Sequence, residues 1–277
     1  MKLVAIDLDG TLLAKDGKIS KANNLAIRET QHQGHIVSIA SGRSFHDTQH
    51  ILKNAGLACP LITANGASVF YQEKYLERLM LPGKTTIEVI AMLEENGYYY
   101  EIYTNEGIHL FHRLLNEARE EAKTLVEKDV GLTLEPIEEE LDIQLRQGGL
   151  QHFNHSNETD YNKLDIYKIF VLCFDKEKLA QLERQLQTRQ DISLTTSGSF
   201  KLEIAHPSVS KGHSLMILAD HLQIPLKDTV AIGDNFNDIS MFRVAGCSIA
   251  MGNAPDKVKE MSTYVTKSSE DDGSLMH

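Results

Sequence analysis

Two pairs of aspartates stand more than two hundred residues apart in this chain. Asp7 and Asp9 lie in LVAIDLDGTLL, and Asp234 and Asp238 lie in VAIGDNFNDIS; each pair directly follows a short apolar run that is typical of a buried strand. Carboxylates at the carboxyl ends of parallel strands repel each other unless a cation lies between them, and Mg²⁺ prefers such oxygen ligands. The aspartates therefore predict one composite site for a metal and an anionic substrate.

The spacing of the first pair, Asp7 and Asp9, allows the two carboxylates to take different chemical roles. Residues two apart at a strand end point the same way, and Gly10 lets the backbone turn after them. One carboxylate can attack phosphorus while the other protonates the leaving alkoxide and later deprotonates water, which requires two different environments. A calcium loop is excluded, because its twelfth position needs an acidic ligand and holds Lys18 here. The second pair fails as a calcium loop at its third position, Phe236.

Ser41, Gly42 and Lys211 are candidate ligands for a phosphoryl group. Ser41 and Gly42 follow the apolar run 35–40 and precede a predicted helix, so the hydroxyl and the backbone N–H could hold a phosphate at the helix amino end. An ordinary helix cap is the alternative interpretation. Lys211 precedes another predicted helix, where its charge could neutralise a transferring phosphoryl group, although a lone lysine is more often exposed.

Two common nucleotide-phosphate motifs are absent from the sequence. Gly83-Lys84-Thr85 lacks the partner glycine of a P-loop, because Arg78 stands five positions earlier, and there is no GxGxxG. The sequence therefore disfavours a protein that works on nucleoside triphosphates.

Composition and charge restrict the partners. The chain has 277 residues and a formal net charge of −11, which disfavours nucleic acid and anionic membranes. No apolar stretch approaches the roughly 18 residues of a membrane span, and a strand begins directly after Met1 in place of a signal peptide. The three cysteines form no CxxC, so a disulfide framework is not expected. We expect a cytoplasmic protein, a monomer or homodimer.

Both ends of the chain alternate between predicted strands and helices. The pattern predicts strands at 2–8, 35–40, 60–63, 229–232 and 247–251 and helices at 21–33, 45–55, 214–221 and 238–245. This alternation is typical of right-handed βαβ units, so both ends are expected to build one parallel sheet of an α/β, Rossmann-like fold.

The middle of the chain has a different pattern. It contains an aromatic run at 98–103, an acidic helical stretch at 116–129, a polar segment at 147–162 that predicts a loop, and a strand-like run at 166–174. Prolines and glycine near 82–83 and 206–207 mark the crossings. We predict a split core of residues 1–82 and 206–277 and an inserted α/β domain of residues 83–205.

Four segments, DLDGTL, SGR, SKG and GDNFND, occur in this order along the chain. Together they resemble the motifs of the haloacid dehalogenase superfamily of aspartate-nucleophile phosphatases. The long insertion after SGR, with Ala64-Asn65-Gly66-Ala67 before it, resembles the Cof-type subfamily, whose insertion is an α/β cap of the C2 (IIB) type. The resemblance spans essentially the whole chain and implies a Mg²⁺-dependent phosphatase whose cap selects the substrate.

The resemblance also implies roles for individual residues. Asp7 would be the nucleophile and Asp9 the general acid and base. Mg²⁺ would be held by the Asp7 carboxylate, the Asp9 backbone carbonyl and the Asp234 carboxylate. Asp238 would orient Lys211 or water on the metal. The phosphoryl oxygens would be bound by Ser41, Gly42, Lys211, Asn237 and the backbone N–H of Leu8.

Two other segments bear on the resemblance. Ser208 stands where the family usually has a glycine, which affects the turn before Lys211, and the tail at 270–273 resembles the family's closing loop.

Residues of the insertion have weaker signals. The tyrosines at 98–103 could stack on a base or sugar ring, but an aromatic strand of a sheet explains them more simply. His152 and His155 have the spacing of metal ligands on a helix, yet no third ligand is evident. Lys201 and Glu203 could face a cleft or lie on the surface.

The expected substrate is a small phosphorylated metabolite, such as a sugar phosphate, a nucleotide or a phosphorylated cofactor. Two alternatives stay open. One is a phosphotransferase or phosphomutase that passes the phosphoryl group to a sugar. The other is a non-catalytic regulator that binds a phosphorylated metabolite, which is disfavoured because Asp7, Asp9, Ser41, Lys211 and Asp234 are all present.

Overall fold

The computed structural model describes residues 1–14, 17–128, 133–269 and 274. The chain forms two compact units: Met1–Leu79 together with Ser208–His277, here the split unit, and Met80–Pro207, here the inserted unit. The borders predicted from the sequence are 82/83 and 205/206. The tail motif at 270–273 lies outside the described residues. Among the residues described, no helix combines the length and the apolar character that crossing a membrane requires.

The described residues contain strands β1 to β14 and helices α1 to α9. The strands are Leu3–Ile6, Ile36–Ala40, Leu61–Thr63, Ser68–Tyr71, Lys74–Arg78, Tyr99–Thr104, Gly107–Phe111, Leu150–Phe153, Ile166–Leu172, Ser193–Thr195, Lys201–Ala205, Thr229–Gly233, Cys247–Ala250 and Tyr264–Val265. The helices are Lys21–His32, Phe45–Asn54, Gly83–Glu95, His112–Lys128, Leu134–Leu145, Lys176–Leu186, Lys211–His221, Ile239–Val244 and Asp256–Lys259.

The split unit is built on an eight-stranded sheet in the order β14-β13-β12-β1-β2-β3-β4-β5. Strands β14 to β3 pair in parallel, whereas β4 and β5 are added antiparallel. The parallel strands agree with the predicted βαβ units. The antiparallel hairpin was not predicted, because β5 is largely exposed and shows no clear alternation of apolar residues.

Both faces of this sheet are buried, as the continuous apolar runs of its strands require. Along β1, Leu3 and Ala5 contribute to a cluster with residues of α7 and α8. Val4 and Ile6 contribute to a second cluster with residues of α1 and α2. The helices therefore cover both faces and hold the central strand in a fixed position.

The strand order determines where the functional segments meet. β1 lies between β2 and β12, with Ile6 level with Ile39 on one side and with Ile232 on the other. The chain leaves these three strands at the same edge of the sheet, just before the segments DLDGT, SGR and GDNFND. In parallel α/β sheets ligands bind at this edge, where the strand order reverses.

The inserted unit has its own six-stranded sheet, in the order β10-β11-β9-β6-β7-β8. All of its pairs are antiparallel except β7 with β8. Within the tyrosine run, Tyr99, Tyr100 and Tyr103 lie on β6 and Tyr98 directly precedes it, and all four side chains are buried in the core of this unit. The simpler interpretation of this run, an aromatic strand, is therefore confirmed.

The prediction of a loop at 147–162 is wrong in part. This segment contains β8 and two short 3₁₀ turns. Its strand was missed because residues Leu150–Phe153 are only partly buried, with no alternating pattern. Helices α5 and α6 were also not predicted. Each contributes a few apolar residues to the core of this unit, and tertiary packing stabilises such helices more than their local pattern indicates.

Candidate active site

Asp7 and Lys211 form the buried centre of the site. Asp7 directly follows β1 and is 5% exposed, and Lys211, the first residue of α7, is 1% exposed. Lys211 Nζ donates to Asp7 Oδ1 at 2.5 Å and to Asp238 Oδ1 at 2.6 Å. Burial lowers the pKa of Lys211, but the two carboxylates outweigh this effect and raise it, so the lysine stays charged. The alternative of a solvent-exposed lysine is wrong.

Asp238 uses both of its oxygens within the protein. Its Oδ1 accepts from Lys211, and its Oδ2 accepts from the backbone N–H groups of Asp234 and Asn235, each at 2.9 Å. The side chain is fully buried against Gly233, where an added Cβ would lie 2.4 Å from the Asp238 carboxyl carbon. Asp238 therefore shapes the turn that carries Asp234 and orients Lys211.

Asp234 is held from two sides. Its Oδ1 accepts from Thr11 Oγ1 at 3.1 Å, and its Oδ2 accepts from Asn253 Nδ2 at 3.3 Å. Asn253 Nδ2 also donates to the Gly10 carbonyl at 2.9 Å. Gly10 has φ 77°, and a Cβ there would lie 2.3 Å from Asp234 Oδ2, so both backbone conformation and space require glycine. Burial and the charge of Asp238 raise the pKa of Asp234 to about 6.

The three buried or half-buried carboxylates form one cluster. Asp7, Asp234 and Asp238 each place an oxygen within 4.8 Å of the others. Burial raises the pKa of Asp7 well above its usual range; Lys211 opposes the rise, and the neighbouring carboxylates add to it. The cluster places three carboxyl groups around Lys211, and their oxygens are the donors that a hard divalent cation prefers.

Asp9 lies in a different environment from Asp7. Its side chain is 54% exposed and accepts two hydrogen bonds from Arg43. Arg43 Nη2 donates to Oδ1 at 2.7 Å, and Nε donates to Oδ2 at 2.8 Å. Arg43 also contacts Asp47 at 2.7 Å. Burial lowers the pKa of Arg43, but the two carboxylates outweigh it and raise that pKa. The acidic cluster consists of Asp7, Asp234 and Asp238 and does not include the Asp9 carboxylate.

Ser41 and Gly42 form a loop between β2 and α2. The cap of α2 is Ser44, whose side chain accepts from the N–H of Asp47 at 3.2 Å, so the interpretation of Ser41 as the helix cap is wrong. Ser41 is fully buried, and its Oγ accepts from the N–H of Arg43 at 3.1 Å.

Leu8 and Asn237 complete the predicted site. Leu8 is fully buried next to Asp7, and its carbonyl accepts from the N–H of Leu13 at 2.9 Å. Asn237 lies in the 3₁₀ turn Phe236–Asp238, and its Nδ2 donates to Asn65 Oδ1 at 3.0 Å. All nine residues predicted from the sequence thus lie in the split unit.

Four side chains that shape this site were not predicted from the sequence: Thr11, Arg43, Asn65 and Asn253. Three of them stand inside or next to motifs that were recognised, namely DLDGTL, SGR and the Ala64–Ala67 segment. Asn253 follows β13 in the run Met-Gly-Asn-Ala, where a polar residue after a buried strand was the available signal.

In the inserted unit the tyrosine hydroxyls are occupied by protein groups: Tyr98 donates to the Lys178 carbonyl, and Tyr100 donates to Glu94. Lys201 binds Glu140 at 2.7 Å. Glu203 is 2% exposed, so its interpretation as a surface residue is wrong.

His152 stacks on His112, with ring centroids 5.0 Å apart. Within the part of the chain that the structure describes, neither His152 nor His155 belongs to a cluster of metal-ligating side chains.

The sequence and the fold were compared with known proteins. The family model of haloacid dehalogenase-like hydrolases matches residues 4–276. The 5-amino-6-(5-phospho-D-ribitylamino)uracil phosphatase YwtE of Bacillus subtilis is 36% identical, and the alignment covers 99% of this chain and 95% of that protein. Phosphatase YwpJ of the same organism is 32% identical over 99% of this chain and 97% of its own length.

A solved structure agrees with these sequence matches. A haloacid dehalogenase-like hydrolase from Bacillus subtilis superposes with a TM-score of 0.85 and 31% identity, covering 99% of this chain and 98% of the other. The mixed α/β architecture, the ordered motifs and the match over nearly the whole chain lead to one conclusion. The chain belongs to the haloacid dehalogenase-like hydrolases and is a phosphatase of phosphorylated metabolites.

Proposed function

We propose that this phosphatase is a Mg²⁺-dependent phosphomonoesterase that works through an aspartyl-phosphate on Asp7. The observation that carries the proposal is the buried pair of Asp7 and Lys211 at the carboxyl end of β1. A carboxylate next to a buried cation can serve as a nucleophile, because the same cation can hold an oxygen of the incoming phosphoryl group.

Asp7 and Asp9 take the two chemical roles. Asp7 attacks the phosphorus, the bond from phosphorus to the alcohol oxygen breaks, and Asp9 gives a proton to the departing alkoxide. Asp9 then takes a proton from a water molecule, which attacks the phosphorus and releases inorganic phosphate from Asp7. The difference in exposure between the two side chains, 8% for Asp7 and 54% for Asp9, supports this division.

The proposed ligands of Mg²⁺ are the carboxylates of Asp7 and Asp234 and the backbone carbonyl of Asp9. When bound, the ion neutralises negative charge on the carboxylates and on the phosphoryl group. Asp238 is left out of this set because it is fully buried and its oxygens accept from the charged Lys211 and from two backbone N–H groups, whereas Asp234 is half-buried and, among the described residues, accepts only from two neutral side chains. Its proposed role is to orient Lys211 and the turn that carries Asp234.

The phosphoryl oxygens are proposed to be bound by five groups. These are the Ser41 hydroxyl, the backbone N–H groups of Gly42 and Leu8, Lys211 Nζ and Asn237 Nδ2. An amide nitrogen has two hydrogens, so Asn237 Nδ2 can donate one to Asn65 and the other to a phosphoryl oxygen. Preorganised donors of this kind stabilise a transferring phosphoryl group with little reorganisation.

We propose that the inserted unit is a cap that selects the substrate. The first candidate is 5-amino-6-(5-phospho-D-ribitylamino)uracil, the compound in the name of the relative that is 36% identical over 99% of this chain. The proposal keeps the cytoplasmic location expected from the sequence.

The test is release of inorganic phosphate from a panel of this compound, sugar phosphates and nucleotides. Each is measured with Mg²⁺ and with excess chelator, for the native chain, for Asp7→Asn and for the control Asp256→Asn, whose side chain is 96% exposed. We expect metal-dependent release by the native chain and the control and none by Asp7→Asn.

Full activity of Asp7→Asn would refute the proposal that Asp7 is the nucleophile. Phosphoryl transfer to an added sugar in place of release would favour the phosphotransferase. Binding without release for every compound would favour the regulator.

A further inference from the structure

Residues Ala64, Asn65 and Gly66 form an unusual turn after β3. All three have left-handed backbones, with φ of 50°, 59° and 103°. Asparagine and glycine tolerate this conformation better than other residues, but for alanine it is unfavourable. Strained backbone persists only where the surrounding structure holds it, and it occurs preferentially at functional sites.

The turn contacts the Ser41–Gly42 loop through backbone and side chain. The N–H of Asn65 donates to the Ser41 carbonyl at 3.0 Å, and the N–H of Ala64 donates to the Arg43 carbonyl at 2.9 Å. A Cβ on Gly42 would lie 2.9 Å from Asn65 Oδ1, so this side chain packs directly against the loop. The loop is therefore held at both of its ends and in its middle.

The same turn contacts the amino end of the helix that begins at Lys211. Ser214 Oγ donates to the Gly66 carbonyl at 2.8 Å, and a Cβ on Gly66 would lie 2.4 Å from the Ser210 carbonyl oxygen. Ser210 is the cap of that helix. The turn thus sets the distance between the Ser41 loop and Lys211.

Asn65 also holds Asn237. Its Oδ1 accepts from Asn237 Nδ2 at 3.0 Å, and Asn65 is 3% exposed. Asn237 Oδ1 is buried and has no hydrogen-bond partner among the described residues, so nothing on that side holds the amide. The contact with Asn65 therefore decides which way the amide nitrogen points.

We infer that Asn65 is a positioning residue that fixes the phosphate-binding donors of Gly42 and Asn237. This inference rests on the proposed function, because it assumes that those two groups bind the phosphoryl oxygens. Asn65 combines two properties that the site needs at one position: it tolerates the left-handed backbone, and its side-chain oxygen accepts from Asn237 and packs against Gly42.

The experiment compares Asn65→Gly with the control Gln72→Gly. Both positions are left-handed, with φ of 59° and 47°, so glycine is compatible with each backbone; Gln72 is in the exposed turn between β4 and β5. The readouts are KM and kcat for the best monoester, the Kd of inorganic phosphate and the melting temperature. We expect Asn65→Gly to raise KM and the phosphate Kd about 5- to 10-fold, the factor of one hydrogen bond, with a smaller change in kcat. We expect Gln72→Gly to leave KM, kcat and the phosphate Kd unchanged.

A double-variant cycle with Asn237→Ala tests the route. If Asn65 acts through Asn237, the double variant weakens phosphate binding by less than the product of the two single effects. An Asn65→Gly protein that melts earlier but keeps its phosphate Kd would overturn the inference, and so would a fully multiplicative double variant.

The phosphate titration also separates this inference from the proposed function. If the native chain releases no phosphate from any monoester but binds inorganic phosphate, the proposed function fails and the titration still decides on Asn65. If the native chain neither releases phosphate from any monoester nor binds inorganic phosphate, the proposed function and the inference on Asn65 both fail.

Discussion

We predict that Glu101 in the inserted unit makes the stability of this protein depend on pH. It lies on β6, is fully buried and accepts hydrogen bonds from Tyr99 Oη at 2.6 Å and Gln147 Nε2 at 3.2 Å. Burial raises the pKa of Glu101 from 4.5 to about 7, while these hydrogen bonds and the charge of Lys168 limit the rise. We predict that Glu101→Gln removes this pH dependence.

The sign and size follow from proton linkage. Because the folded state holds the Glu101 proton more tightly than the unfolded state, stability from this group is fully present below pH 4.5 and is lost as pH rises through about 7. The two pKa values differ by about 2.5, and one unit corresponds to about 1.36 kcal/mol, so the loss is about 3 kcal/mol. A glutamine resembles the protonated glutamate in shape and in having a donor, so the variant should match the native chain at low pH.

The assay is urea unfolding between pH 4.5 and 8, followed by tyrosine fluorescence. The chain has no tryptophan, and six of its nine tyrosines lie in the inserted unit, at positions 98, 99, 100, 103, 161 and 167. We expect the unfolding free energy of Glu101→Gln minus that of the native chain to grow from near zero at low pH to about 3 kcal/mol at pH 8. The control Glu95→Gln, at an exposed position, should differ by no more than about 0.5 kcal/mol at any pH.

Curves for Glu101→Gln and the native chain that stay parallel over this range would refute the reasoning. In that case the Glu101 carboxylate would be ionised in the folded state throughout, and the charge of Lys168 and the hydrogen bonds would compensate its burial.

Three further predictions concern the split unit. Lys211→Met leaves two buried carboxylates without their cation, so we expect a loss of about 3 kcal/mol or more in unfolding free energy and no detectable phosphate binding, measured by urea unfolding and titration. Gly10→Ala should destabilise the chain more than Gly17→Ala and abolish phosphate release, because both glycines are left-handed but only the Cβ at position 10 meets a carboxylate, at 2.3 Å. Arg43→Ala removes the pair that orients Asp9, and we expect kcat to fall about tenfold or more in steady-state assays.

Each of these predictions has a contrary outcome. A Lys211→Met protein as stable as the native chain would mean that the carboxylates are not charged when buried. Equal effects at the two glycines would mean that backbone strain alone limits substitution at position 10. An unchanged kcat for Arg43→Ala would show that Asp9 needs no partner for proton transfer.

Ser208 illustrates a departure from the family pattern that the structure accommodates. The family usually has glycine there, which raised the question of a left-handed turn. Ser208 is not among the left-handed residues of the described chain, so the turn before Lys211 does not depend on glycine. The cap of that helix is Ser210, which accepts from the N–H of His213 at 3.1 Å.

Local sequence is enough to predict five parallel strands of the split-unit sheet, β1, β2, β3, β12 and β13, and the edge of the sheet at which the candidate site lies. Apolar runs followed by Asp7, Ser41 and Asp234 mark strand ends, and their alternation with helices requires a parallel sheet whose carboxyl ends meet at one edge. These signals are local and repeat with the period of the element, so no knowledge of distant contacts is needed to recognise them.

The tertiary structure decided which side chains hold the site together. Lys211 is buried between Asp7 and Asp238, and Arg43 forms hydrogen bonds with Asp9. These contacts bring together residues that are far apart in the chain. A single lysine or arginine has no periodic signal, and only the folded surroundings determine whether its charge is exposed to water or buried against carboxylates.

The same reason explains the contacts of two asparagines. Asn65 with Asn237 and Asn253 with Asp234 depend on turns whose positions are set by the packing of several strands and helices. Local sequence determines that such residues favour turns. Which partner each turn meets follows from long-range packing, and the tertiary structure alone decides it.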